Sequence, residues 1–275
     1  LVVKEAATAI NDEGGILTAL PALAGVLARP AVSGEPLVRR AISANLRIGD
    51  AAAAARVGAY ARRTGVPEAL RVEAISTLGV WAAPSNMDRV DGSWIAPLPQ
   101  RDASTAQAEI TGLGGLVSGA DATPGVKVAW IEAVAKLGIK PQAGAILAML
   151  RSDPEPAVRV AALGALQALA APELEPGVRA AMADKDMSVR TAAIAALPEM
   201  PLDAPAKAEL LSAAINVGNT AEKQSAIHGL AQVPGSEAAQ ALGRLADDLA
   251  AGSVAPALQL DLLEHYLAVA LLCGV

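Results

Sequence analysis

Phenylalanine is absent from this 275-residue sequence, and aromatic residues of all kinds make up only 2% of it. A core without large rings has to close with Ala, Leu, Val and Ile. Such a core suits helices that approach one another closely, and each buried Leu or Ile contributes about 1.5–3 kcal/mol. Cysteine occurs once, at Cys273, which excludes an internal disulfide, a thiolate zinc cluster and a C-x-x-C-H haem attachment. The two histidines, His228 and His265, form neither an H-E-x-x-H pattern nor a facial triad. They are expected to lie far apart, and no metal is expected. Basic residues are outnumbered, 22 Lys and Arg against 28 Asp and Glu, for a formal net charge of −6. Nucleic-acid binding needs clustered cations against phosphates, and here the cations are dispersed, so none is expected. Although 53% of residues are hydrophobic and the mean hydropathy is +0.39, no apolar run reaches the ~18–20 residues that cross a bilayer.

Chemistry-bearing motifs are equally scarce. No Ser, His and Asp fall into a nucleophile motif. The glycines at 112, 114 and 115 follow no strand, so they make no dinucleotide fingerprint. Asp88, Asp91 and Gly92 lack the alternating oxygen ligands and the terminal Glu of a calcium loop. No cofactor and no catalytic residue is expected.

What the chain does have is repetition. D-P-E-P-A-V-R-V-A-A-L-G-A-L runs from Asp153 to Leu166, and D-K-D-M-S-V-R-T-A-A-I-A-A-L from Asp184 to Leu197, with Val158 and Val189 31 residues apart. Taking the residue before the cation as position zero, positions +4, +5 and +8 should be apolar, because three- and four-residue steps share one helix face. Leu70 leads to Ala74, Ile75 and Leu78; Val126 to Trp130, Ile131 and Val134; Val158 to Ala162, Leu163 and Leu166; Val189 to Ala193, Ile194 and Leu197. Glu222 starts a degenerate copy, Leu258 another, and Val38 a looser one with Ser43 at its fifth step. The zero positions 38, 70, 126, 158, 189, 222 and 258 are spaced 32, 56, 32, 31, 33 and 36 residues. An alanine-rich first helix precedes each second helix from Leu70 onward: Ala51–Arg63, Thr105–Val117, Gln142–Arg151, Gly177–Ala183, Ala204–Ile215 and Glu237–Ala250. Pro36, Pro124 and Pro156 suit first-turn positions of second helices, where the missing N–H costs nothing. A period of this length built from helix pairs marks a solenoid.

The set Asp153-Pro154, Val158-Arg159, Ala161-Ala162-Leu163 and Leu166, with its echo from Asp184 to Leu197, resembles the HEAT family in its shorter, phycobilin-lyase-like variety. The resemblance implies an all-α, right-handed α/α superhelix of about seven helix pairs, forming a single array over residues 1–275. It also implies a scaffold or adaptor rather than an activity. Second helices of such arrays line the concave face, here presenting Arg40, Glu73, Glu132, Gln167, Gln224 and Gln259. More narrowly, Leu70–Glu73 with Leu78–Trp81, followed by Asp88–Trp94, looks like the HEAT segment of large secreted bacterial proteins. Those join a sugar-dehydrogenase-type propeller, a HEAT array and a c-type cytochrome. That kinship implies an extracytoplasmic location and redox chemistry outside this sequence, which carries neither a propeller nor a haem motif. A lyase-like HEAT enzyme is the other catalytic alternative.

The long interval holds an insertion, residues 84–104, with three prolines, a glycine and no helical period. Irregular loops of about 20 residues are uncommon in compact arrays and are often functional. It is expected to fold back so that Trp81, Trp94 and Trp130 come together, with Trp94 pinning the loop or meeting a partner. Candidate partner-binding residues are therefore Trp94, Asp88, Arg89 and Asp91 in the loop, and Arg40, Glu73, Glu132 and Gln167 on second helices. The cations Arg39, Arg71, Lys127, Arg159, Arg190 and Lys223 are expected to form a ladder with acidic turn residues such as Asp153 and Asp184. The apolar end Leu267–Val275 lacks the polar face of a terminal repeat, so the sequence is expected to be a piece of a longer chain, the alternative being ends covered by partners. The expected partner is a protein or flanking domains of that chain.

Overall fold

A computed structural model describes residues 2–13, 16–119 and 122–273, the last seven by their backbone alone. The apolar C-terminal end singled out above, with Cys273, thus lies outside the described side chains. Every regular element among the described residues is helical, apart from one isolated bridge between Met87 and Trp94. The chain divides into two compact units, 1–143 and 144–275.

The first unit holds α1 (Val2–Asn11), α2 (Leu20–Gly25), α3 (Glu35–Ile48), α4 (Ala51–Ala61), α5 (Glu68–Gly79), α6 (Ser104–Val117) and α7 (Pro124–Lys136). Each first helix packs on its own second helix, α2 on α3, α4 on α5 and α6 on α7, and the second helices stack α3 on α5 on α7. Before α3 the structure adds two short helices that the repeat pattern does not announce, because α1 and α2 precede the first legible copy. The second unit repeats the scheme. After α8 (Ala143–Ser152) come α9 (Pro156–Ala168), α10 (Leu174–Met182), α11 (Met187–Ala196), α12 (Ala204–Val217), α13 (Thr220–Gln232), α14 (Ser236–Ala250) and α15 (Pro256–Cys273). Here α9, α11, α13 and α15 stack in turn, with α10, α12 and α14 against α11, α13 and α15.

Local chemistry sets the boundaries. Pro36, Pro124 and Pro156 occupy the first turns of α3, α7 and α9, as their fixed φ and missing N–H dictate. Asp50 and Asp186 cap α4 and α11 by accepting from the Ala53 and Ser188 amides. Gly49 closes α3 at φ 72°, a left-handed conformation that favours glycine.

The register determines the core. All seven zero positions, from Val38 to Leu258, are buried, and so are the +4, +5 and +8 residues of the copies beginning at Leu70, Val126, Val158, Val189 and Glu222. The last copy departs from the pattern at Leu263, which is 46% exposed. Two breaks in the pattern have polar explanations. Glu222, at an apolar position, is 5% exposed and closes a capping box with Asn219. Ser43, at the fifth step of the Val38 copy, is 4% exposed and serves the insertion.

Candidate functional site

The insertion is a built element, held in place by Asp88. This residue is 4% exposed, and its carboxylate accepts from Ser43 Oγ at 2.7 Å, Arg47 Nη2 at 2.6 Å and the Val90 amide at 2.7 Å. Asn11 Nδ2 reaches it at 3.5 Å. Burial pushes the Asp88 carboxyl upward, but the Ser43 hydroxyl, the Val90 N–H and Arg47 together outweigh it and hold the group below its ordinary range. The ion pair with Arg47 is sealed, the two side chains being 8% and 0% exposed.

Above that anchor the backbone makes a small hairpin. The Asp88 amide donates to Ser93 O at 2.7 Å and Ile95 N to Asn86 O at 2.8 Å, while Gly92, at φ 74°, turns the chain back. Asp91 Oδ1 accepts from the Ser93 amide at 2.9 Å, so this exposed carboxylate serves the turn. Two more cations pin the flanks. Arg89 forks onto Glu73 of α5, Nε to Oε1 at 2.8 Å and Nη2 to Oε2 at 3.2 Å. Arg101 donates to Leu46 O at 2.7 Å and lies 5.4 Å over the Trp81 ring. A Cβ on Gly49 would collide with the Arg101 guanidinium, so the glycine that ends α3 also seats the far end of the loop.

Locked at its base, the hairpin presents Met87 and Trp94 side by side as its bridged pair, 50% and 67% exposed. This corrects the expected tryptophan cluster. Trp81 and Trp130 are buried, Trp94 is not, and no ring contact joins the three among the described residues. Trp130 spends its indole N–H on Ile110 O at 2.8 Å, in space left by Gly114. Charge, not the aromatic ring, pins the loop.

The candidate residues divide accordingly. Asp88, Arg89, Asp91 and Trp94 share the hairpin, and Glu73 joins them through Arg89. Arg40 reaches the same cluster by way of Asp12, Nε to Oδ1 at 3.0 Å, whose neighbour Asn11 touches Asp88. Glu132 stands apart on α7, half-exposed beside Lys136 at 3.5 Å. Gln167 belongs to the second unit and is half-buried. The repeat pattern missed Ser43, Arg47, Asn11 and Arg101, although Ser43 was legible as the polar break in its copy.

The cations form part of the expected ladder, at Arg159 and Arg190. Arg159 is bidentate on Asp184, both contacts at 2.8 Å, and donates to the Asp153 and Pro154 carbonyls. Arg190 repeats this one step on, with Glu222 at 2.6 Å and the Asp184 and Lys185 carbonyls. Arg71 instead donates to Ala61 O, and Arg39 pairs with Glu35.

The histidines require a second correction. His228 of α13 and His265 of α15 meet, Nδ1 to Nε2 at 3.2 Å, with Gln232 Nε2 2.6 Å from the other His228 nitrogen. They lie 37 residues apart, one more than the 36-residue step between their zero positions, so the register itself makes them neighbours. Gln224 and Asp261 form the parallel contact at 2.8 Å. Among the described residues no cluster of three His, Cys, Asp or Glu could hold a metal ion, and no helix is long and apolar enough to cross a membrane.

Comparison with known proteins agrees with this architecture. Residues 143–231 match the family of HEAT repeats. Among solved structures, the chain is similar to one in the complex of CpcE and CpcF of phycocyanin lyase from Nostoc sp. PCC7120. Identity there is 20%, covering 89% of this chain and 88% of that one, with a TM-score of 0.39. It is also similar to human deoxyhypusine hydroxylase in complex with glycerol, at 15% identity, 96% and 97% coverage and a TM-score of 0.36. Similarities of that size carry no argument of their own. No curated protein matches the sequence. The family match and the stacked helix pairs together identify a HEAT-like, all-α helical-repeat fold.

Proposed function

We propose that the chain is a protein-interaction or domain-spacing module with no chemistry of its own, and that the 84–104 hairpin is where a partner protein or flanking domain docks. The observation that carries this reading is the contrast within the hairpin. Asp88 and three arginines fix it to the helices, while the bridged pair Met87 and Trp94 stays in solvent. An apolar pair held rigidly loses little conformational freedom on binding, which is how aromatic anchors become hot spots. The 32-residue step from Val126 to Val158 equals the step from Val38 to Leu70, which supports reading residues 1–275 as one array.

Trp94 also supplies its own reporter, since Trp81 and Trp130 are buried and an aqueous quencher reaches Trp94 first. Partners retained from the native extract by the wild-type chain should be lost with Trp94→Ala and weakened by Met87→Ser. Their binding should protect Trp94 from acrylamide, and helical CD and melting should stay within about 0.5 kcal/mol of wild type, as for exposed substitutions generally. If both variants retain the same partners as the wild type, the hairpin is not the docking point.

A further inference from the structure

A cavity of about 660 Å³ in the first unit lies away from the hairpin, between the turn that leads into α3 and the turn between α4 and α5. That volume is in the range of small-molecule sites. Its lining includes the apolar Val32, Val38, Val66 and Leu70. The polar part of the lining has the chemistry of an anion receptor, and four features carry it.

Arg63 lines the cavity with an uncompensated charge. Its Nη1 and Nη2 donate to the Arg29 and Leu27 carbonyls at 3.1 and 2.8 Å, and it makes no ion pair among the described residues. Two of its five N–H donors are used and the rest remain. The other charged groups of the lining are neutralised: Arg62 by Glu109 at 2.7 Å, and Glu35 by Arg39 at 2.8 Å.

Tyr60 is 1% exposed, yet it lines the cavity, and its hydroxyl makes no hydrogen bond among the described residues. That hydroxyl is not sealed off either, so the small surface Tyr60 retains opens on the cavity. The phenol proton is therefore open to a bound acceptor on the cavity side. Burial pushes the Tyr60 phenol up, with Arg63 pulling it part of the way back, so it remains a hydrogen-bond donor at neutral pH. The guanidinium lies 5.1 Å over the Tyr60 ring, which fixes the two donors relative to each other.

The cavity also receives the N-terminal ends of α3 and α5, at Gly34 and Pro67, neither capped by a side chain. Among the described residues the Glu35 amide is open at the α3 end, since Pro36 has no N–H and Leu37 donates to Gly34 O. At the α5 end the Glu68 and Ala69 amides are open, and Glu35 and Glu68 offset part of the positive dipole ends.

We propose that this cavity binds a small organic anion, a carboxylate or phosphate head on an apolar body. The head sits against Arg63, the Tyr60 hydroxyl and the two helix ends, and the body lies along Val32, Val66 and Leu70.

Isothermal titration of the full chain with inorganic phosphate, phenyl phosphate and hexanoate tests it. At least one of the two amphiphiles should bind saturably at one site, about fivefold or more tighter than inorganic phosphate, because only they can use the apolar wall. Whichever of the two binds better identifies the head group. Tyr60→Phe keeps the ring and removes the donor, and should weaken binding about three- to tenfold. Arg63→Gln should weaken it about tenfold or more, and added salt should do the same in the wild type. Trp94→Ala should change nothing, which separates this site from the docking hairpin. Two results would overturn the proposal: no saturable binding of any probe up to ~20 mM, or binding that Tyr60→Phe and Arg63→Gln both leave intact. Inorganic phosphate binding as tightly as the amphiphiles would reduce the cavity to an adventitious ion site.

Discussion

At the scale of single residues, polar groups at positions the repeat reserves for apolar ones mark where something beyond stacking happens. Ser43 interrupts its helix face because Asp88 arrives from 45 residues away to meet it. The exchange is unequal for the partners. Losing Ser43 leaves Asp88 with Arg47 and the Val90 amide, whereas losing Asp88 leaves a guanidinium that is 8% exposed with the Asn11 carbonyl but no counter-charge. Asp88→Ala should therefore destabilise by about 3–5 kcal/mol, the usual cost of breaking a sealed ion pair. Ser43→Ala should cost about 1–3 kcal/mol, one hydrogen bond at a buried acceptor. Urea unfolding measures both, and limited proteolysis supplies a local reading: cleavage within 84–104 should accelerate in Asp88→Ala well before global unfolding. Equal costs for the two variants, or a hairpin equally resistant in both, would mean that Asp88 is not the anchor.

At the scale of helices, an alanine-rich core works by close approach, and the glycines test it. A Cβ on Gly79 of α5 would come within 3.1 Å of both Cα and Cβ of Ala133 in α7, with backbone that cannot yield. Gly164 of α9 has nothing within 4 Å of the same added atom. Gly79→Ala should thus cost about 1–3 kcal/mol through overpacking, whereas Gly164→Ala should gain about 0.5–1 kcal/mol from helix propensity alone. Opposite signs in thermal melts are the expected result, and two stabilising substitutions would refute the close contact. The same contrast explains what was readable in advance. Second helices were legible because burial on one face imposes the +4, +5, +8 pattern, and Val126 through Leu230 follow it. First helices were located to within a few residues, since Gly177–Ala183 proves to be Leu174–Met182. The hairpin was legible as an excursion but not in its fastening. Trp94 drew attention by its size, whereas Asp88 and Arg101 act through contacts 41 and 55 residues distant in sequence that no periodicity encodes. The histidine pair is the opposite case: the register implies it, although nothing local to either residue announces it.

Across the whole molecule, the repeat pairs a cation of one turn with a carboxylate elsewhere, and this makes stability depend on pH in a definite direction. Asp184 is held below its ordinary range first by the Arg159 hydrogen bond, against burial and with help from the Asp186 amide. For Glu222 burial pushes upward, and the Asn219 amide and Arg190 more than reverse it. Asp88 behaves in the same way in the first unit. In each case the folded state holds its proton less tightly than the unfolded chain. The unfolded chain therefore binds more protons through the titration window, and stability rises with pH there. The contribution is complete above the unfolded carboxylate value, about 4, and disappears as pH falls through the lower folded values. The melting temperature should accordingly be nearly flat from pH 7 to about 5 and drop steeply below about 4. Asp184→Asn should lower stability at neutral pH by about 3 kcal/mol, because Arg159 keeps only carbonyl partners. The same variant should flatten the acid limb, since one of the depressed, covered carboxylates has gone. Screening separates this account from general charge repulsion in a chain of net charge −6. Pairs this well covered should respond weakly to ~0.5 M salt, whereas repulsion between exposed charges would be largely removed by it. An acid limb that vanishes in salt, or one that keeps its full slope in Asp184→Asn, would show that the ladder does not set the pH dependence.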